Sequence, residues 1–281
     1  MKLSEIRSLL TEMDFHPSRS LGQNFLIDGN ILDILLDAAE IGPRDQVLEV
    51  GPGLGAVTER LVEAARRVVA VEKDRRLVAY LRERFKGERK LELIAADMLD
   101  VDAEALLTSG INVVVSNLPY SAGSRILVNL AMAETAPERI IVTVQQEVAA
   151  RLAAGAGDPN YSKLGVWLQL DYDIELVKTV SPTCFWPVPE VKSEIVVMTR
   201  RRRQALSRAE RQVFCEVTTE AFTHRRKQMA AIFARAGGRL HMAPERTARL
   251  LEGLGLDARA RPENLSVKQW CELAKVLTSG E

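Results

Sequence analysis

Apolar positions along this chain switch repeatedly between two periods. Short β-branched runs at 46–50, 68–71, 91–95, 111–116 and 139–145 read as strands. Between them, residues spaced at 3.6 predict helices: Ile31, Leu32, Ile34, Leu35 and Leu36 behind an Asp28 cap; Val57, Leu61, Val62 and Ala65; then 75–86 and 125–133. Strand and helix in alternation predict an α/β fold with a mainly parallel, doubly wound sheet, which takes ligands outside the carboxyl ends of its strands. Runs at 172–180 and 194–199 bring the strand count to seven and read as a closing hairpin with a long loop. From Arg200 onward the strands stop and helical patterns cover 213–222, 227–235, 244–254 and 267–277. The predicted division is a catalytic domain at 1–203, with an arm at 1–27, and a small all-helical domain at 204–281.

Composition changes this picture little. A hydrophobic share of 47% and a charged share of 27% in 281 residues are ordinary for a globular chain with a large core. Charge distribution adds more. The formal net charge is zero, yet 200–249 holds 13 Lys and Arg against four Asp and Glu, an excess of nine that leaves the rest at minus nine. Such segregation suggests a polyanion footprint, carried by Arg200, Arg201, Arg202, Arg203, Arg225, Arg226 and Lys227. Three scattered cysteines fit neither a disulfide framework nor paired zinc ligands, so no metal and a cytoplasmic location are expected. No apolar run approaches a membrane span and no signal peptide opens the chain.

The candidate chemistry gathers at strand ends. Gly51-Pro52-Gly53-Leu54-Gly55 follows the first strand and opens a helix, where glycines let backbone approach a ligand. The next strand ends at Glu72, 21 residues beyond Gly51, the offset expected of a ribose-hydroxyl acceptor. The Gly-x-Gly-x-Gly spacing favours an adenosine-type ligand without a pyrophosphate over a dinucleotide. Asp97 follows the third strand, where a carboxylate either accepts from an adenine amine or caps a helix; Met98 adds apolar cover. Gln23 and Asn24 precede the Asp28 helix, as site-edge amides or as a capping loop. Asn117-Leu118-Pro119-Tyr120 ends the fourth strand, and reads either as a turn or as a site for a planar amine. Pro119 keeps the local carbonyls out of helix bonding, Asn117 adds an acceptor and Tyr120 a ring, which together suit N6 of an extruded adenine. Phe185, in a loop stiffened by Pro187 and Pro189, reads as a stacking ring or as a lid on the core.

Seven segments together resemble the ribosomal RNA adenine dimethyltransferase family, most closely its bacterial small-subunit members. They are Gly22 to Leu26, Glu49 to Gly55, Asp97, Asn117 to Tyr120, Gln146-Glu147-Val148-Ala149-x-Arg151, Phe185-x-Pro187-x-Pro189-x-Val191-x-Ser193, and His224 to Lys227. The resemblance implies a Rossmann-like class I methyltransferase core using S-adenosyl-L-methionine. It places Asn24, Leu26, Gly51, Gly53, Glu72, Asp97, Met98 and Asn117 at the cofactor. Asn117, Leu118, Pro119, Tyr120 and Phe185 fall at the target base, and the C-terminal domain at RNA. The implied partner is small-subunit rRNA in an immature subunit, modified by a monomeric enzyme. The antibiotic-resistance methyltransferases of large-subunit rRNA share the core, and an RNA-binding assembly factor is the reading from another class.

Overall fold

Seven strands form one sheet: β1 Gln46–Val50, β2 Arg67–Glu72, β3 Leu91–Ala95, β4 Val113–Asn117, β5 Arg139–Gln145, β6 Tyr172–Val180 and β7 Ser193–Arg200, in the order β3-β2-β1-β4-β5-β7-β6. The computed structural model describes residues 3–17, 22–202 and 205–279. Strands β1 to β5 pair in parallel, and β7 runs antiparallel to β5 from Arg139↔Thr199 to Gln145↔Ser193. Val47, Leu48, Val113, Val114, Ile140 and Ile141 are all fully buried. Burial on both faces explains why these strands read as continuous apolar runs with little alternation. At β1 the order reverses, with β2 on one side and β4 on the other, and this switch point leaves a crevice at the strand ends.

Strand β4 starts two residues later than the 111–116 expectation and runs on through Asn117. Asn112 stands at the threshold: its side-chain amide donates to Asp45 Oδ1 at 2.7 Å and its Oδ1 accepts the Gln46 N–H at 2.9 Å, while its backbone N–H donates to the Gln46 carbonyl at 3.1 Å and its carbonyl accepts the Glu138 N–H at 2.8 Å. Helices α1 Leu3–Glu12, α2 Gly29–Ala39, α3 Ala56–Ala64, α4 Arg75–Arg84, α5 Ala103–Thr108, α6 Gly123–Ala131 and α7 Gln146–Ala153 complete the alternation. Asp28 caps α2 by accepting the Ile31 N–H at 3.0 Å, as the sequence predicts. Ile6, Leu10 and Phe15 of the N-terminal segment bury against Phe25, Leu54 and Leu77.

A two-stranded ribbon, Phe25–Leu26 against Phe185–Trp186, has no periodic signal and is new. It overturns one expectation. Phe185 is 0% exposed and packs with Leu26, Ile31 and Leu35, so its ring is the lid on the core and has no face for a base.

The chain forms two compact units, Met1–Ala149 with Asp173–Arg200, and Ala150–Tyr172 with Arg201–Glu281. The second contains α8 Lys163–Asp171, α9 Arg208–Thr223, α10 Met229–Phe233, α11 Pro244–Gly253 and α12 Val267–Ser279. A single boundary at 203/204 therefore misplaces 150–172. Tyr161, Val166 and Leu170 are buried with Phe214, Phe233 and Trp270, and the Tyr161 hydroxyl donates to the Leu265 carbonyl at 2.7 Å. Helical periodicity shows that α8 has an apolar face, and nothing in it says which core that face joins.

Within this unit Gly165 faces the end of α7, where an added Cβ would lie 2.3 Å from the Arg151 carbonyl oxygen. Gly165→Ala is expected to lower stability by about 1–3 kcal/mol, read as a fall in Tm by circular dichroism. Gly29→Ala, with nothing within 4 Å of the new Cβ, is expected to leave Tm unchanged or slightly raised.

Candidate active site

The ends of β1, β2, β3 and β4 open into one concave pocket, joined by the arm segment at Gly22 to Leu26. Every residue expected at the cofactor lies on its wall: Asn24, Leu26, Gly51, Gly53, Glu72, Asp97, Met98 and Asn117. Leu118, Pro119 and Tyr120 line it too, and Phe185 does not.

The glycine turn works through backbone geometry. Gly51 and Gly53 have φ of +67° and +58°, in the left-handed region that β-carbons disfavour. The Gly51 N–H donates to the Val71 carbonyl at 2.9 Å, carrying the β1–β2 pairing past the strand end. The Gly53 N–H turns onto Glu72 Oε2 at 3.2 Å, while Oε1 accepts the Asp74 N–H at 2.8 Å. Both bonds hold the Glu72 carboxylate in one orientation. Burial is the larger effect and raises its pKa above the ordinary value, against those bonds.

Asn117 is fixed as tightly. Its Nδ2 donates at 2.8 Å to the backbone carbonyl of Asn24. A carbonyl only accepts, so this contact sets the amide orientation and turns Oδ1 the other way. Oδ1 is buried and has no partner among the described residues. An unsatisfied buried acceptor costs free energy, so its retention at a pocket points to a donor supplied by a ligand. The Ser116 hydroxyl donates to the Val50 carbonyl at 2.5 Å, joining the ends of β4 and β1. The Leu118 N–H donates to the Thr143 carbonyl at 3.2 Å, and its own carbonyl accepts from no described residue. The Pro119 carbonyl is engaged, accepting from Ala122 and Gly123 at 3.2 and 2.8 Å as α6 begins.

Four contributors carried no assigned role in the sequence reading. Gly22 has φ +66°, and a Cβ there would come within 3.0 and 3.1 Å of the Tyr120 and Ser121 nitrogens, so the arm presses directly on the Asn-Leu-Pro-Tyr segment. Lys73 Nζ pairs with Asp97 Oδ2 at 2.6 Å; that bond, followed by the Leu99 N–H at 3.0 Å on Oδ1, holds the Asp97 carboxyl below its ordinary pKa. Ser193 shares a hydrogen bond with the Tyr120 hydroxyl. Glu49 lines the pocket at 2% exposure and accepts the Thr58 hydroxyl at 2.6 Å; burial, with the nearby Glu72 charge adding to it, pushes its pKa up to about 8. An acid inside the apolar run 47–50 is the signal that marks Glu49.

The basic residues divide. Arg200 donates to the carbonyls of Ala136 at 2.5 Å and Glu134 at 3.4 Å, and Arg225 binds Glu263 at 2.8 Å and the Pro159 carbonyl at 2.8 Å, so both serve the fold. Arg201, Arg202, Arg226 and Lys227 are exposed, and Arg203 lies outside the described residues.

A seven-stranded sheet of this order, with a glycine turn, an acid at the second strand end and amide acceptors at the fourth, defines a class I methyltransferase, the S-adenosylmethionine-dependent class. The sequence profile of the ribosomal RNA adenine dimethylases matches residues 15–279. Ribosomal RNA small subunit methyltransferase A of Moorella thermoacetica is 35% identical over 279 residues, covering 96% of each chain. Its counterpart from Protochlamydia amoebophila is 35% identical over 285 residues, covering 100% of this chain and 98% of that one. A crystal structure of a dimethyladenosine transferase from Plasmodium falciparum matches with TM-score 0.77 at 25% identity, over 91% of this chain and 98% of that one. The 23S rRNA methyltransferase ErmE matches with TM-score 0.68 at 28% identity, over 90% and 99%. The chain belongs to the ribosomal RNA adenine dimethylase family. No helix among the described residues is long and apolar enough to cross a membrane.

Glu49 generates a pH dependence with a definite sign. Its folded pKa is raised, so the folded state keeps a proton that the unfolded chain gives up above about 4.5. The stability this group contributes is complete below about 4.5 and is lost as pH rises to about 8. Glu49→Gln removes that loss. Its Tm relative to wild type, measured without cofactor, is expected to rise between pH 5 and 8, and a difference flat with pH would contradict a neutral buried acid.

Proposed function

We propose that this chain transfers methyl groups to N6 of two adjacent adenosines in the loop of the 3′-terminal hairpin of small-subunit rRNA, dimethylating each during maturation of the subunit. The observation that carries the chemistry is Asn117 Oδ1, a buried acceptor turned away from Asn24 and left without a donor. The small-subunit target is supported by relatives bearing that name at 35% identity over nearly the whole chain. Such work takes place where ribosomes are assembled, in the cytoplasm.

The pocket suits S-adenosylmethionine, which supplies, when bound, an electrophilic methyl on a positively charged sulfur. Glu72, oriented by two backbone N–H groups, accepts the ribose hydroxyls, and Asp97, kept ionised by Lys73, accepts the adenine amine. Gly51 and Gly53 leave room for close backbone approach, and Asn24 and Leu26 flank the pocket. The ionised Asp97 and the Glu72 carboxyl favour a cationic ligand, and neutral Glu49 adds no opposing positive charge.

Adenine N6 is a poor nucleophile because its lone pair is delocalised into the ring. Acceptance of its two N–H bonds by Asn117 Oδ1 and the Leu118 carbonyl turns the nitrogen towards a tetrahedral shape and frees the lone pair. Tyr120 offers a ring against the extruded base, offsetting an unstacking cost of a few kcal/mol. Once methylated, the cationic nitrogen is a strong acid and yields its proton to water. Positioning therefore supplies most of the rate. Exposed Arg201, Arg202, Arg226 and Lys227 supply phosphate contacts.

Labelled S-adenosylmethionine incubated with undermethylated small subunits, beside large subunits, tests the reading. Label is expected on two adjacent small-subunit adenosines; label on large subunits alone would assign the chain to the other branch. Asn117→Ala is expected to slow transfer by about a hundredfold or more while cofactor affinity stays within about threefold. Near-normal turnover in that variant would remove Asn117 from its role.

A further inference from the structure

The segment Phe185-x-Pro187-x-Pro189-x-Val191-x-Ser193 stands out in the sequence, and burial of Phe185 leaves it without a part in the chemistry. We infer that its last residue, Ser193, is a positioning residue that locks the Tyr120 ring as the platform for the target base, an inference that rests on the methyl-transfer reading above.

Ser193 is the first residue of β7 and pairs in register with Gln145 of β5. The neighbouring Lys192 carbonyl accepts the Gln146 N–H at 3.0 Å, so backbone bonds hold the chain on both sides of this point. The serine side chain is fully buried and its hydroxyl shares its hydrogen bond with the Tyr120 hydroxyl. Tyr120 is half-buried and lines the pocket. At its backbone end the ring is braced by Gly22, whose φ of +66° and absent side chain allow contact with the Tyr120 amide. At its far end only the phenol oxygen can be gripped, and Ser193 grips it from the rigid sheet. A tyrosine held at both ends presents its face at one tilt and one distance. The Phe185 ring seated in the core anchors the start of the same segment, so the seven-residue connection 186–192 runs between two fixed points.

Fixing the ring matters most for the second transfer. The monomethylated nitrogen is bulkier and keeps one N–H, so one acceptor contact is lost and stacking carries a larger share of orientation. A loosened ring should therefore slow the reaction and strand monomethyladenosine, whereas a purely structural bond would affect neither ratio nor turnover once the protein is folded.

The experiment compares wild type, Ser193→Ala, Tyr120→Phe, the double variant and Ser193→Thr on undermethylated small subunits, with Tm and cofactor Kd measured for each. The two single variants remove the same bond from opposite ends. Each is expected to lower kcat about five- to tenfold, to leave cofactor Kd within about twofold and to raise the ratio of monomethyl- to dimethyladenosine. The double variant is expected to be no slower than either single one, and Ser193→Thr, which keeps a hydroxyl, to recover most of the rate. Multiplying losses in the double variant, or a Ser193→Ala enzyme with normal kcat and product ratio, would overturn the inference alone. A wild-type protein silent on small subunits would overturn the functional reading and this inference with it.

Discussion

A sheet buried on both faces can do chemistry only where its strands stop. Residues in the middle of β1, β4 and β5 are mostly committed to apolar packing, so the polar groups of the site enter at the last position of a strand or just beyond it. That constraint places the Gly51 turn, Glu72, Asp97 and Asn117 side by side although as many as 66 residues separate them in sequence. It also ties the pocket to the sheet. Backbone bonds that extend the ladder by one residue, from Gly51 to Val71 and from Leu118 to Thr143, carry the order of the sheet into the site. Glu49 is the exception, an acid placed inside a strand, and its nearly complete burial gives it a nature unlike its neighbours.

Electrostatics separates the two kinds of ligand. Glu72 and Asp97 face the pocket with Lys73 bound to Asp97, while buried Glu49 holds its proton and adds no charge. The basic excess lies instead at 200–249, away from the strand ends in sequence, and suits phosphate. A chain with zero net charge can thus hold sites of opposite preference.

The parts legible in the sequence were those whose cause is local. A glycine turn directly after a strand, an acid 21 residues on and a capping Asp28 act through neighbours in the chain, and each lies where the pattern puts it. Partners far apart were not legible. The Asn117 amide finds the Asn24 carbonyl 93 residues away, and no spacing rule connects them. Phe185 misleads because prolines and aromatics in a loop look the same whether the ring faces water or core. Arg200 and Arg225 mislead because a charge run is silent about carbonyls and carboxylates that fold back onto it. In each case composition names the group, and only tertiary contact names its partner.

The route of the chain through its two units has a consequence for exchange of parts. The helical unit borrows residues 150–172 from between β5 and β6, so it is an insertion and a tail that share one core. Cutting at 203 would strip Phe214, Phe233 and Trp270 away from Tyr161, Val166 and Leu170 and leave both pieces with an open apolar face. The helical unit in this architecture cannot be transplanted as a single terminal module. A chimera that exchanges this unit must carry two segments together, so that the core they share stays whole.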